Sequence, residues 1–147
     1  MSETVENHME LRFEAKSVNE SLARMAVAAF LTDMNPTLSE VDDVKTAVSE
    51  AVTNAIVHGY SSEKEQVVIR CSRRDQLCVV QVEDEGVGIS DVKQARLPFF
   101  TTKPEQNRSG MGFSFMETFM DQVEVESTPG RGTKVTMTKY IAGGNGR

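Results

Sequence analysis

No apolar run in this 147-residue chain approaches the length needed to span a membrane, and the opening MSETVENHMELR lacks the apolar core of a secretory signal. A cytoplasmic protein with no membrane partner is expected. Basic residues are in deficit: 16 Lys and Arg face 22 Asp and Glu, a net charge of −6. That balance argues against a direct nucleic-acid partner, because a net negative surface repels phosphate backbones. Cysteine is scarce too. Cys71 and Cys78 form no metal-ligand spacing, and both fall in strand-like stretches, so they read as small, reduced core residues. The chain shows no internal repeat and no linker that would split it. Its length suits one domain with a core of its own.

Periodicity supplies the elements. Residues 1–7 are polar and expected to be flexible, residues 8–141 form the domain, and the glycine-rich end, 142–147, is expected to be disordered. Met9–Ala15 alternates like a strand. Ser17-Val18-Asn19-Glu20 has the form of a capping box, opening a helix whose stripe is Leu22, Met25, Ala26, Ala29 and Phe30 and which stops by Asn35-Pro36. Arg24 falls off that stripe and is expected to be exposed. A second helix begins near Thr37-Leu38-Ser39-Glu40, a second capping-box pattern, and ends at Gly59, with an apolar stripe of Val41, Val44, Val48, Val52, Ala55 and Ile56. Gln66–Ser72 and Leu77–Glu83 pair as a hairpin, and so do Gln122–Ser127 and Thr133–Tyr140. Between them a helix carries Met111, Phe115, Met116, Phe119 and Met120, with the methionines as core packing.

The chain is organised around Val79–Ile89. Strand alternation puts Val80, Val82 and Asp84 on one face, so Asp84 points into the core. A buried carboxylate is costly unless donors meet it. Gly86 and Gly88 follow and allow close backbone approach. A flat ligand offering an amino group, such as adenine, satisfies this pattern, and so does a hairpin turn with a capping aspartate. Thr133 shares its phase with Val135 and Met137, making a second inward polar group at a strand end.

Three further groupings stand out. Glu50, Asn54 and His58 recur every four residues, each offset by roughly 40° on the helix. They form a slanting polar row, suited to a proton, a metal ion and an anion or simply to a solvated helix face. His58 fits a helix-end residue facing the C-terminal dipole equally well. The segment from Asp91 to Gly110 loses periodicity and sets Lys93, Arg96, Lys103 and Arg108 against Asp91 and Glu105, a local +2. Long aperiodic loops of this kind are usually lids or disordered segments. Then Gly110-Met111-Gly112, next to Arg108, opens a helix and exposes N–H groups at its positive end, a phosphate cradle.

Taken together, Glu50-x-x-x-Asn54, Asp84-x-Gly86-x-Gly88, and Gly110-x-Gly112 with Gly132-Thr133 resemble the N box and the two glycine boxes of the GHKL ATP-binding superfamily. The likeness covers about residues 8–140. Within it, Ser49–Tyr60, Phe99-Phe100-Thr101-Thr102-Lys103-Pro104-Glu105 and Arg108-Ser109-Gly110-Met111-Gly112-Phe113 resemble the anti-sigma factor serine kinases, and the lid residues the sporulation branch.

The resemblance implies an α+β, two-layer sandwich of the GHKL (Bergerat) type, with a mixed, mostly antiparallel sheet and helices on one face. It implies a protein serine kinase that uses ATP and Mg²⁺, sequesters a sporulation sigma factor of the sigma F type, and phosphorylates a serine on the anti-anti-sigma factor. A homodimer is implied as well. On this reading Glu50 is the catalytic base, Asn54 offers its amide oxygen to Mg²⁺, and Asp84, supported by Thr133, accepts from the adenine amino group over Gly86 and Gly88. Lys103, Arg108, Ser109, Gly110, Met111 and Gly112 face the phosphates, and Arg24 lies on the face that docks both partners. The alternatives are a general-stress anti-sigma kinase, or a histidine-kinase ATP-binding domain whose phosphoacceptor is a separate chain. A gyrase- or MutL-type ATPase needs a transducer domain for which 147 residues leave no room.

Overall fold

Alternating apolar and polar residues make five strands: β1 (Asn7–Glu14), β2 (Gln66–Arg74), β3 (Leu77–Asp84), β4 (Gln122–Thr128) and β5 (Gly132–Tyr140). The computed structural model describes residues 6–59, 65–86 and 112–144. The strands lie in the order β1-β2-β3-β5-β4. The expected sheet is mixed and mostly antiparallel; every pairing among the described residues is antiparallel. Among the described residues three α-helices, α1 (Asn19–Phe30), α2 (Leu38–Asn54) and α3 (Gly112–Phe119), pack with the sheet in an α+β sandwich.

One sheet face carries Phe13, Val67, Ile69, Cys71, Cys78, Val80, Val82, Val135 and Met137 into the core, where they meet Val44, Val48 and Val52 of α2 and Met116 of α3. Cys71 and Cys78 are free thiols in that core, and burial pushes both up to about 12, which leaves them unreactive. The opposite face is polar. Arg70 pairs there with Glu83 and Glu10, and Lys134 with Glu126. Exposed pairs of this kind add little stability and mainly keep an open sheet face wet.

The helices depart from expectation in instructive ways. In α1 the buried positions are Ala23 and Val27, followed by Leu31 in a 3₁₀ turn (Leu31–Met34), while Leu22 is 49% and Met25 59% exposed. The expected stripe is therefore rotated. Apolar residues occur nearly all round this helix, so side-chain size does not choose its inner face; contact with α2 and the sheet does. The capping box at Ser17 also fails to form. Val18 takes the cap position without a side-chain bond, and the Glu20 carboxylate turns to Arg24 instead.

The second capping box forms in full. Thr37 Oγ1 accepts from Glu40 N–H at 3.0 Å, and Glu40 Oε1 accepts from Thr37 N–H at 2.9 Å, a pairing of order 1 kcal/mol. Asn35, at φ 55°, supplies the left-handed turn before Pro36. Glu40 has a second task. It accepts from the amides of Ala142 and Gly143, while Gly144 N–H donates to Asn35 O. Burial works against its charge, but the hydrogen bonds from Thr37, Ala142 and Gly143 outweigh burial and hold its carboxyl below the usual range. The first three residues of the glycine-rich tail are thus bonded to the start of α2; residues 145–147 lie outside the described residues.

Candidate functional site

The strand-phase reading puts Asp84 inside, and there it lies. It is 7% exposed, the one buried charged residue among those described. Sheet register aligns three polar groups at the ends of three strands: Asp84 on β3 pairs with Thr133 on β5, which pairs with Ser127 on β4. Gly86 N–H donates to Asp84 Oδ1 at 2.9 Å, so the chain folds back over its own carboxylate straight after β3. Thr133 Oγ1 lies 2.8 Å from Ser127 Oγ.

Gly132 closes the row from behind. Its φ is +112°, and a Cβ placed on it would stand 2.1 Å from Asp84 O and 2.7 Å from Glu85 Cα. Only glycine fits so close to another strand's backbone. The Thr128-Pro129-Gly130-Arg131 turn, closed by Arg131 N–H to Thr128 O at 2.9 Å, sets the register that brings it there.

Burial raises the Asp84 carboxyl well above its ordinary value, to about 6; the Gly86 and Thr133 amides oppose that rise, and the Glu83 and Glu65 charges add to it. The folded protein holds this proton more tightly than the unfolded chain does. Between about pH 4 and pH 6 stability therefore falls as pH rises, and above pH 6 the charged carboxylate is a constant cost. Asp84→Asn keeps the oxygen that Gly86 needs and removes the charge. The nucleotide-free variant is expected to be more stable than wild type by about 2–3 kcal/mol above pH 6, with the gap closing toward pH 4. Urea unfolding across that range checks it; a gap independent of pH would mean that the buried charge is not the cause.

Glu50 and Asn54 occupy the last turn of α2, one helical turn apart and both half-buried. Beyond Asn54 the winding widens into a π turn, Ala55–Gly59, which ends where the sequence ends the helix. This turn packs on β3 and β5, the strands that carry Asp84 and Thr133. Such π turns are rare and recur at functional sites. Gly112 heads α3, which packs against α2. Arg24, expected to be exposed, is half-buried: its Nε stands 3.1 Å from Glu20 Oε2 and its Nη2 donates to Ser21 Oγ at 3.2 Å.

Residues 13–139 match the histidine kinase-like ATPase domain family. The chain is 56% identical over 135 residues to the anti-sigma F factor of Caldanaerobacter subterraneus, covering 92% of this chain and 94% of that one. The chain belongs to the anti-sigma F factor family of histidine kinase-like ATPase domains. A second member of this family, the anti-sigma F factor of Bacillus subtilis, is 49% identical over 139 residues, 94% of this chain and 95% of its own. Solved structures agree on the fold. The RsbU and RsbW domains of a Mycobacterium tuberculosis protein superpose with a TM-score of 0.68 at 19% identity, over 92% of this chain and 32% of that one. The catalytic domain of the histidine kinase ThkA does so with 0.55 at 16% identity, over 90% and 97%.

The structure brings Asp84, Gly86 and Thr133 together at the ends of neighbouring strands and sets Glu50 and Asn54 one turn apart on α2. Gly88, Lys103, Arg108, Ser109, Gly110 and Met111 lie outside the described residues, as does the whole lid, and so does the His58 side chain. Two contributors escaped the sequence reading of the site. Ser127 shares the inward phase of Val123 and Val125, a signal that was legible; its position opposite Thr133 needed the register. Gly132 belongs to the motif, but its closeness to Asp84 is a tertiary fact.

Proposed function

We propose that this protein is an anti-sigma factor and ATP-dependent serine kinase: it sequesters a sporulation sigma factor of the sigma F type and phosphorylates its anti-anti-sigma antagonist on serine. The near full-length identity with anti-sigma F factors carries this reading. The pocket supports its nucleotide half. A buried carboxylate with one oxygen held by Gly86, beside a glycine that leaves no room for a Cβ, suits a flat base offering an amino group. Asn54 suits Mg²⁺, a hard ion that takes one or two protein oxygens and fills its shell with phosphate and water. Among the described residues no cluster of three His, Cys, Asp or Glu side chains competes for that role.

Mg·ATP, when bound, supplies the phosphoryl group. Asp84 would accept from the base and fix one end of the nucleotide, and Asn54 would offer its amide oxygen to Mg²⁺ at the other. Glu50 would take the proton of the antagonist's serine hydroxyl, the base that phosphoryl transfer to that oxygen needs. Arg108, Lys103 and the amides of Ser109, Gly110, Met111 and Gly112 are assigned to the phosphates on the motif alone. Asp84→Asn is expected to cost at least about tenfold in ATP affinity by calorimetry. The variant then gains stability while it loses the ligand, a combination that marks a functional group.

α1 exposes Leu22 and Met25, one turn apart, and on another side of the same helix Arg24 is half-buried and paired with Glu20. A partly desolvated arginine on a helix that also leaves large apolar side chains bare has the make-up of an interface anchor. We assign it to the face that docks sigma and antagonist, in a protein that acts as a homodimer. Arg24→Ala is expected to weaken both complexes by roughly tenfold or more and to spare ATP binding. Pull-downs of both partners at wild-type strength would return Arg24 to a solvated role.

The decisive experiment mixes the protein with sigma factor, a serine-bearing antagonist and Mg·ATP. Phosphoserine on the antagonist and released sigma are expected. Transfer to histidine on a separate helical chain, with no sigma bound, would replace this reading with the histidine-kinase one.

A further inference from the structure

Ser127 Oγ donates to Gly132 O at 3.0 Å and lies 2.8 Å from Thr133 Oγ1. A serine hydroxyl has one proton. With that proton committed to the Gly132 carbonyl, the short contact to Thr133 is made by the threonine proton, with Ser127 as acceptor. The Gly132 carbonyl is held in place by the +112° backbone and its packing on Asp84, so it is a fixed acceptor. Thr133 Oγ1 is left with lone pairs and no proton for the side it shares with Asp84, its cross-strand partner. Asp84, ionised at neutral pH, is also an acceptor.

We propose that Ser127 is a positioning and specificity residue. By taking the Thr133 proton it makes the pocket at Asp84 acceptor-only, which selects a purine with an amino group at position six over one with a carbonyl there. This rests on the reading of Asp84 as the residue that contacts the base. An amino group meets two acceptors and is satisfied. A carbonyl in the same place meets two acceptors, and among the described residues the nearby Gly86 and Thr133 N–H groups are already turned to Asp84, so it is rejected, since buried unpaired acceptors are penalised. Were Thr133 free to turn its proton outward, it would rescue the carbonyl.

The test measures dissociation constants of ATP and ITP for wild type, Ser127→Ala and Ser127→Thr by calorimetry. ITP carries a carbonyl where ATP carries the amino group, and N1–H where adenine N1 is a bare acceptor; the two match in charge and overall shape, and because the N1 difference is the same for every variant, the change in the ratio reports on Ser127. Ser127→Ala is expected to shrink the ATP-over-ITP preference by about three- to tenfold, and Ser127→Thr, which restores an acceptor hydroxyl, to recover it. A purely structural role would lower both affinities together and leave the ratio alone, and that outcome overturns the proposal. If the alanine variant does not fold, Ser127→Cys, near in volume and a weak acceptor, is read by the same ratio. Asp84→Asn runs alongside. Wild-type ATP affinity there would sink the base-contact reading itself, whereas lost affinity there with an unchanged ratio in Ser127→Ala would sink only the role of Ser127.

Discussion

Glu50→Gln is expected to bind ATP as wild type does and to phosphorylate the antagonist slower by roughly two to four orders of magnitude. The two side chains match in shape and helix propensity, and α2 is anchored independently of position 50. Its N-terminus is closed by the Thr37–Glu40 box, and Val44, Val48 and Val52 are fully buried. What changes is basicity. An amide cannot take a hydroxyl proton, whereas a carboxylate can, and Glu50 stands one helical turn from Asn54. The measurement pairs calorimetry of ATP with a phosphoserine time course under saturating nucleotide. Loss of rate with retained affinity assigns Glu50 to the chemical step. A variant that transfers phosphate at the wild-type rate would remove Glu50 from it, and loss of affinity instead would make it a binding group.

The second large effect is expected at Gly132. Gly132→Ala places a methyl group 2.1 Å from Asp84 O and 2.7 Å from Glu85 Cα, and both obstacles are backbone. Neither can swing aside as a flexible side chain would. A φ of +112° adds strain for any L residue other than glycine. Relief requires β3 and β5 to separate at the pairing that aligns Asp84 with Thr133. Stability is expected to fall by about 3 kcal/mol or more, and ATP affinity of the surviving folded protein by at least about tenfold. Gly130→Ala is the control. Its φ is also positive, at +82°, but a Cβ there meets nothing within 4 Å. It should carry only the backbone strain, of order 1–2 kcal/mol, and keep its nucleotide affinity. If both variants bind ATP like wild type, the close approach of Gly132 is not what shapes the pocket.

Much of the fold was legible because its signals are local. The strands announce themselves by alternation, and Asp84 was placed inside by the same two-residue period that buries Val80 and Val82. The Thr37–Glu40 box formed as read, since all its atoms lie within one turn. The matching pattern at Ser17–Glu20 did not form, because Glu20 found Arg24 one turn along its own helix. The inner face of α1 was misread for a related reason. Ala23 and Val27 are buried while the larger Leu22 and Met25 are exposed, an arrangement that follows from α2 lying alongside and from no property of α1 alone.

The sequence by itself determined the parts of the site: an inward acid followed by glycines, a carboxylate and an amide one helical turn apart, and an inward threonine at a strand end. Each depends on the helical or strand period, which acts over a few residues. Only the tertiary structure decided how the parts meet. The register of β3, β5 and β4 lines up Asp84, Thr133 and Ser127 from positions as much as 49 residues apart, and turns Gly132 into a contact that admits no side chain. Sheet pairing is a long-range choice, made by burying one face of every strand at once, and no local pattern carries it.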